Sequence, residues 1–157
     1  MVRKAQVGDA KKIYELVGFY ARRKEMLPRS EDDIAEGIRD FFVLERGGNV
    51  LGCAALHIYS AGLAEIRSLA VEESSINKGI GSELVKACLE EAGKLGLKSV
   101  FALTLKSEFF GRFGFIPTEK KKLPQKIWND CSICSKFADC DEVAYIKVLP
   151  QQGKVLP

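Results

Sequence analysis

Residues 76–82 read INKGIGS, with Gly79 and Gly81 on either side of Ile80, and the helix-like run ELVKACLEEAGKLG begins at residue 83. Glycines before a helix leave main-chain N–H groups pointing outward, and the helix dipole adds roughly half a positive charge at the same place. That combination suits a phosphate. A nucleotide P-loop needs four residues between its glycines and then Gly-Lys-Ser/Thr, whereas here Ile80 alone separates Gly79 from Gly81. A dinucleotide loop wants a third glycine where Leu84 stands, close to the first strand of the chain rather than near its middle. The surviving readings are a loop that cradles a pyrophosphate and a plain tight turn into a helix.

The elements that must position this loop follow from periodicity. Ile80, Leu84, Cys88, Ala92 and Leu95 recur at helical steps, which predicts an amphipathic helix over 79–94, and Gly96 stands where a helix-ending glycine belongs. Before the loop, LAEIRSLAV (63–71) alternates Leu63, Glu65 and Arg67 with Ala64, Ile66 and Ser68, so it reads as a strand whose two faces meet different surroundings. Residues 1–6 predict a first strand. Asp9 is then placed to cap a helix that carries Ile13, Leu16, Val17 and Tyr20 on its apolar side. Ser30 with Asp33 predicts a second helix start through Ile34 and Ile38, and FFVLERGGNVLGCAALHIY predicts a hairpin about a Gly-Gly-Asn turn. SVFALTL is a buried-type strand, SEFFGRF a short helix, GFIPTE a strand opening and EVAYIKVL a last strand. The order βααβββαβαβ predicts a mixed α/β sandwich rather than a doubly wound parallel sheet.

At 157 residues the chain is expected to form one domain over 1–149, with 150–157 a loose tail. Its composition, 46% apolar and 29% charged, is that of an ordinary globule, and no apolar run is long enough to span a bilayer. The start MVRKAQVGDA carries no apolar signal region, so the expected compartment is the cytoplasm and the expected state of the thiols reduced. A net charge of +3, without a basic stripe interleaved with aromatics, excludes neither partner class alone; it argues for no nucleic acid and suits an anionic small molecule.

SLAV, then seven residues, then GIG opening a long helix, with FFGRFGF some thirty residues further on, resembles the GNAT family of acetyl-CoA-dependent N-acetyltransferases. The resemblance implies the GNAT (acyl-CoA N-acyltransferase) fold, a mixed and mostly antiparallel sheet flanked by helices. It implies that the backbone of Leu69, Ala70 and Val71 pairs with the pantetheine arm of acetyl-CoA, and that Asn77, Lys78, Gly79, Ile80, Gly81 and Ser82 hold its phosphates. One departure is Ile76, where the family motif has Gln or Arg; because the loop works mainly through main-chain donors, the departure is expected to change loop geometry or affinity rather than abolish binding. Within the family, MLPRS, AEIRSLAV, GIG, LTL before EFFGRFGF, LPQKIWNDCSIC and CDEVA are similar to the catalytic part of the enzymes that acetylate L-glutamate, above all their short single-domain form. This implies synthesis of N-acetylglutamate on the way to arginine. Two rivals stay open, a GNAT enzyme acting on another small amine or a protein N-terminus, and a non-catalytic acetyl-CoA sensor. Oligomeric state, including a homodimer, also stays open.

Acetyl transfer to an amine requires a base, because an amino-acid ammonium is mostly protonated at neutral pH. Glu65 is the candidate, and its alternative is an exposed strand carboxylate or an ion-pair partner. Main-chain donors near Leu69 would stabilise the oxyanion. Many GNAT members protonate the leaving thiolate with a tyrosine where this chain has Phe110, so Phe110 would touch the coenzyme without donating a proton. Tyr59, Tyr145 or unassisted departure remain. For the acceptor's carboxylates the candidates are Arg29, Arg67 and Lys126, whereas KKK at 120–122 reads as a solvated turn.

Cys53 and Cys88 read as small core residues and His57 as a structural histidine with no partner cluster. Cys131, Cys134 and Cys140 form one C-x-x-C pair with a third cysteine nearby, and Asp141 would have to complete a four-ligand zinc site. A metal site, a redox pair and free thiols all stay open for this segment.

Overall fold

The computed structural model describes residues 1–123 and 143–151. Among them the elements run β1 (Val2–Lys4), α1 (Ala10–Arg22), α2 (Glu31–Glu36), β2 (Phe41–Arg46), β3 (Asn49–Ser60), β4 (Leu63–Val71), α3 (Ile80–Lys94), β5 (Ser99–Thr104), α4 (Ser107–Gly111), β6 (Ile116–Thr118) and β7 (Val143–Val148). The strands form one mixed sheet in the order β1-β2-β3-β4-β5-β7-β6. β4 and β5 pair in parallel, Leu63 with Ser99 through Glu65 with Phe101, and β1–β2, β2–β3, β5–β7 and β6–β7 pair antiparallel. The expected order is met, and the strand opening read at GFIPTE is a short strand of its own, Ile116–Thr118, beside β7.

Contacts group the chain into two units, Met1–His57 with Ile66–Glu91, and Ile58–Glu65 with the described residues from Ala92 on. In the first unit the β2–β3 hairpin turns through Gly47 and Gly48, at φ +57° and +79°, with Arg46 paired to Asn49. A two-residue loop with both φ angles positive matches the strand twist, and glycine adopts it without strain. One face of this hairpin, with Phe41, Val43, Cys53 and Ala55, packs on Ile13, Leu16 and Val17 of α1 and Ile34 of α2. The opposite face meets α3, whose Ile80 and Leu84 lie so close to Gly52 that an added Cβ there would stand 2.9 and 3.0 Å from their side chains. The spacing that predicts α3 reflects a real buried stripe as far as Ala92: Ile80, Leu84, Cys88 and Ala92 are all 1% exposed or less, whereas Leu95, expected to continue it, lies just past the helix end and is 53% exposed.

Ser30 caps α2 as expected, its Oγ accepting the Asp33 N–H at 3.1 Å. Asp9 differs from expectation. Its side chain does not cap α1; it accepts the Gln6 N–H at 2.7 Å across the short 3-10 turn Val7–Asp9 and forms a two-bond pair with Arg3. The Arg3 guanidinium holds the Asp9 carboxyl below its ordinary range, and a carboxylate so engaged ties β1 to the entry of α1.

In the second unit Phe101, Leu123 and Ala144 are buried together, with Tyr59, Leu63, Leu103 and Ile146 packed against them. Gly96 ends α3 at φ +76°, its N–H donating to the Gly93 carbonyl. Lys120–Lys122 is a 3-10 turn as read from KKK, with Lys121 and Lys122 exposed and Lys120 half-buried. No helix among the described residues is long and apolar enough to cross a membrane.

Candidate active site

β4 leads directly to the glycine loop. After Val71 the chain makes a 3-10 turn, Glu73–Ser75, and then exposes Ile76 through Gly79 before Ile80 buries itself at the head of α3. Asn77 and Gly79 both take positive φ, +67° and +78°. Asparagine is among the few side chains that tolerate this region, and glycine enters it freely. Left-handed residues alternating with others turn successive N–H groups toward one side, making a concave nest for an anion. The first bond of the helix is Glu83 N–H to the Gly79 carbonyl, so the N–H groups of the preceding turn have no acceptor within the helix. A Cβ built at Gly79 meets nothing within 4 Å, which leaves space at the helix mouth for a bulky anion. These features fit a diphosphate.

β4 is irregular near its end. Ser68 has φ +55°, a conformation that interrupts the alternation of a strand, and its carbonyl accepts the Cys53 thiol at 3.4 Å. Such a residue costs about 1 kcal/mol or more and is held in place by its surroundings. Leu69, which follows it in β4, is half-buried. Val71, also half-buried, carries a carbonyl that accepts the Tyr20 hydroxyl at 2.5 Å. Burial, and then Glu25, push the Tyr20 phenol upward, so it stays protonated and donates.

Glu65 is 7% exposed, which removes the exposed-carboxylate reading. Its Oε1 accepts the Tyr59 hydroxyl at 3.0 Å. The Tyr59 ring lies 5.8 Å from that of Phe101, which holds the phenol in place from behind. A carboxylate carries lone pairs on both oxygens, and the Tyr59 hydroxyl is one of the donors that hold it. Tyr59, a candidate proton donor to the leaving group, is thus engaged with Glu65.

Phe110 is 5% exposed and sits in an aromatic cluster, edge-on to Phe109 at 5.2 Å and to Phe115 at 5.3 Å. It has no proton to give. Arg29 is half-buried in the loop before Ser30, and Arg67 is half-buried on β4 two residues beyond Glu65. Leu69–Val71, Asn77–Ser82, Arg29 and Arg67 belong to the first unit, and Glu65 and Phe110 to the second. Lys126 and the segment with Cys131, Cys134 and Cys140 lie outside the described residues. Among the described residues no cluster of histidine, cysteine and carboxylate suits a metal ion.

His57 is corrected: it has a carboxylate partner, its Nδ1 lying 2.9 Å from Oδ2 of Asp40. Cys53 and Cys88 are fully buried, and desolvation pushes both thiols up to about 12. A thiol held neutral is a poor nucleophile, and both residues behave as the core positions expected from the sequence. Sequence spacing missed the contacts of Tyr20 with Val71 and of Asp40 with His57. The apolar stripe of α1 pointed to Tyr20 only as a packing residue.

The Acetyltransferase (GNAT) family profile matches residues 9–115. The chain is 48% identical over 148 residues to an uncharacterized N-acetyltransferase of Chlorobaculum tepidum, covering 94% of this chain and 96% of that one. It is 33% identical over 154 residues to the amino-acid acetyltransferase of Mycobacterium tuberculosis, covering 94% and 87%. Among solved structures, N-acetylglutamate synthase from Neisseria gonorrhoeae, complexed with coenzyme A and N-acetyl-glutamate, superposes with a TM-score of 0.86 at 27% identity, over 96% of this chain and 35% of that one. The present chain therefore spans about a third of the length of that synthase.

Proposed function

The chain belongs to the Acetyltransferase (GNAT) family, with its fold and its acetyl-CoA-dependent N-acetyltransferase chemistry, and we propose that its acceptor is the α-amino group of L-glutamate. The product would be N-acetylglutamate, and the place of the reaction the entry to arginine synthesis. The observation that carries the coenzyme half of this reading is the pair of left-handed residues, Asn77 and Gly79, opening α3 at the end of β4. The acceptor half is supported by similarity to an amino-acid acetyltransferase at 33% identity.

In the proposed reaction the main chain of Asn77–Ser82 holds the diphosphate of acetyl-CoA, and Leu69–Val71 pairs with the pantetheine arm. Glu65 accepts a proton from the ammonium, directly or through a water, and the freed amine attacks the thioester carbonyl carbon. Negative charge gathers on the carbonyl oxygen, which N–H groups near Leu69 stabilise. The C–S bond then breaks, and the former ammonium nitrogen loses its second proton to solvent to give the neutral amide. Thiolate departs without an assigned acid, which a thiol pKa of roughly 8.5 permits. Arg29 and Arg67 supply cations for the two carboxylates of the acceptor, Lys126 being a third candidate. Transfer is direct, in a ternary complex, with no acetyl-cysteine.

The acceptor is tested by assaying L-glutamate against a panel of amino acids, small amines and peptides. Glutamate should be preferred, and Arg29→Ala should raise its KM about tenfold to a hundredfold while leaving that of acetyl-CoA alone. A flat panel, or an Arg29→Ala variant with unaltered KM for glutamate, would refute the assignment. The relative at 48% identity is an uncharacterized N-acetyltransferase, which keeps another small amine or a protein N-terminus as the second reading.

A further inference from the structure

The peptide unit between Val71 and Glu72 is held at both ends. Its N–H, on Glu72, donates to the Leu51 carbonyl of β3 at 2.8 Å, and its carbonyl, on Val71, accepts the Tyr20 hydroxyl at 2.5 Å. In a trans peptide these groups point in opposite directions. The Val71 carbonyl is therefore directed away from β3, toward the other edge of β4, and the phenol of Tyr20 meets it there. Within a strand the N–H of Val71 leaves from that same edge.

Tyr20 is itself fixed. Its own carbonyl accepts N–H groups from Arg23 at 3.1 Å and Glu25 at 3.0 Å, closing α1 just before the loop that carries Arg29. Its ring stands edge-on to Phe19 at 5.0 Å and packs against the α1–β2–β3 core. The ring alone would satisfy that packing; the hydroxyl adds one directed bond, spent on a carbonyl at the end of β4.

We propose that Tyr20 is a positioning residue for the coenzyme: its hydroxyl sets the direction of the Val71 carbonyl so that this carbonyl's second lone pair, and the Val71 N–H, meet the pantetheine amides. The inference rests on the reading of Leu69–Val71 as the pantetheine-binding strand. Removing the hydroxyl leaves the peptide free to tilt about its remaining bond to Leu51, and the cost falls on the pantetheine arm alone. The diphosphate, bound by Asn77–Ser82, is unaffected.

Calorimetric titration of wild type and Tyr20→Phe with CoA, and with ADP as a diphosphate lacking pantetheine, separates the possibilities. The variant keeps the ring and should melt within a few degrees of wild type. Its Kd for CoA should rise about fivefold, the size expected for one hydrogen bond, with the Kd for ADP unchanged and kcat at saturating acetyl-CoA preserved. An unchanged Kd for CoA, or equal weakening of CoA and ADP, would overturn the positioning role while leaving the coenzyme site standing. Failure of the wild type to bind CoA would overturn the coenzyme reading and this inference together.

Discussion

The Tyr59 hydroxyl donates to Oε1 of Glu65 at 3.0 Å, and the carboxylate that receives it is 7% exposed. A carboxylate out of water keeps its place only with partners. If Glu65 is the base, Glu65→Gln should lower kcat by about a hundredfold or more, the usual contribution of a positioned base. The loss should shrink as pH rises and the acceptor amine becomes neutral in solution, which a pH–rate profile reads directly. Tyr59→Phe should cost about tenfold or less, since it removes an orienting bond and leaves the carboxylate. A Glu65→Gln variant with wild-type turnover at neutral pH would assign the base elsewhere.

Gly79 sits at φ +78° with open space where a Cβ would be, so Gly79→Ala meets no steric barrier beyond its own backbone. The left-handed conformation costs a non-glycine residue about 1–2 kcal/mol. Thermal stability should fall modestly, while the Kd for CoA should rise about tenfold or more as the loop relaxes and its N–H groups turn away. Calorimetry on the variant checks both. Unchanged affinity would mean that the diphosphate is not held here.

Cys53 and Cys88 give a pH dependence with a definite sign. Burial raises both thiols from 9.0 to about 12, so above pH 9 the unfolded chain loses protons that the folded chain keeps. Their contribution is complete below pH 9 and declines as pH climbs toward 12, by up to about 1.4 kcal/mol per pH unit for each thiol. Denaturant melts across this range should show a shallower decline for Cys53→Ala with Cys88→Ala than for wild type. Replacing all five cysteines should leave turnover in any variant that folds, because direct transfer uses no acyl-thiol intermediate. Complete loss of turnover in a folded variant would contradict direct transfer.

What the sequence made legible is what depends on local rules. The α3 stripe as far as Ala92 follows from helical spacing, the Gly47–Gly48 hairpin from turn chemistry, and the loop at Gly79 from closely spaced glycines at a helix mouth. Contacts between residues far apart along the chain were not legible. Tyr20 reaches Val71 across fifty-one positions, and Asp40 reaches His57 across seventeen. Such meetings depend on strand register and on how α1 lies across the hairpin, and a single sequence leaves both unfixed. Asp9 shows a subtler failure: cap-forming residue types mark a helix start, yet nearby Arg3 drew the carboxylate into a pair and moved its backbone bond one turn earlier.

Coenzyme release from acetyl-CoA in the presence of L-glutamate, with the product identified by mass, tests the central claim most directly. The purified chain should release CoA in step with N-acetylglutamate, at a rate that falls when glutamate is omitted. Binding of acetyl-CoA with no release on any amine would contradict the acetyl transfer proposed here and favour a coenzyme sensor, and absence of CoA binding altogether would remove the site at the mouth of α3.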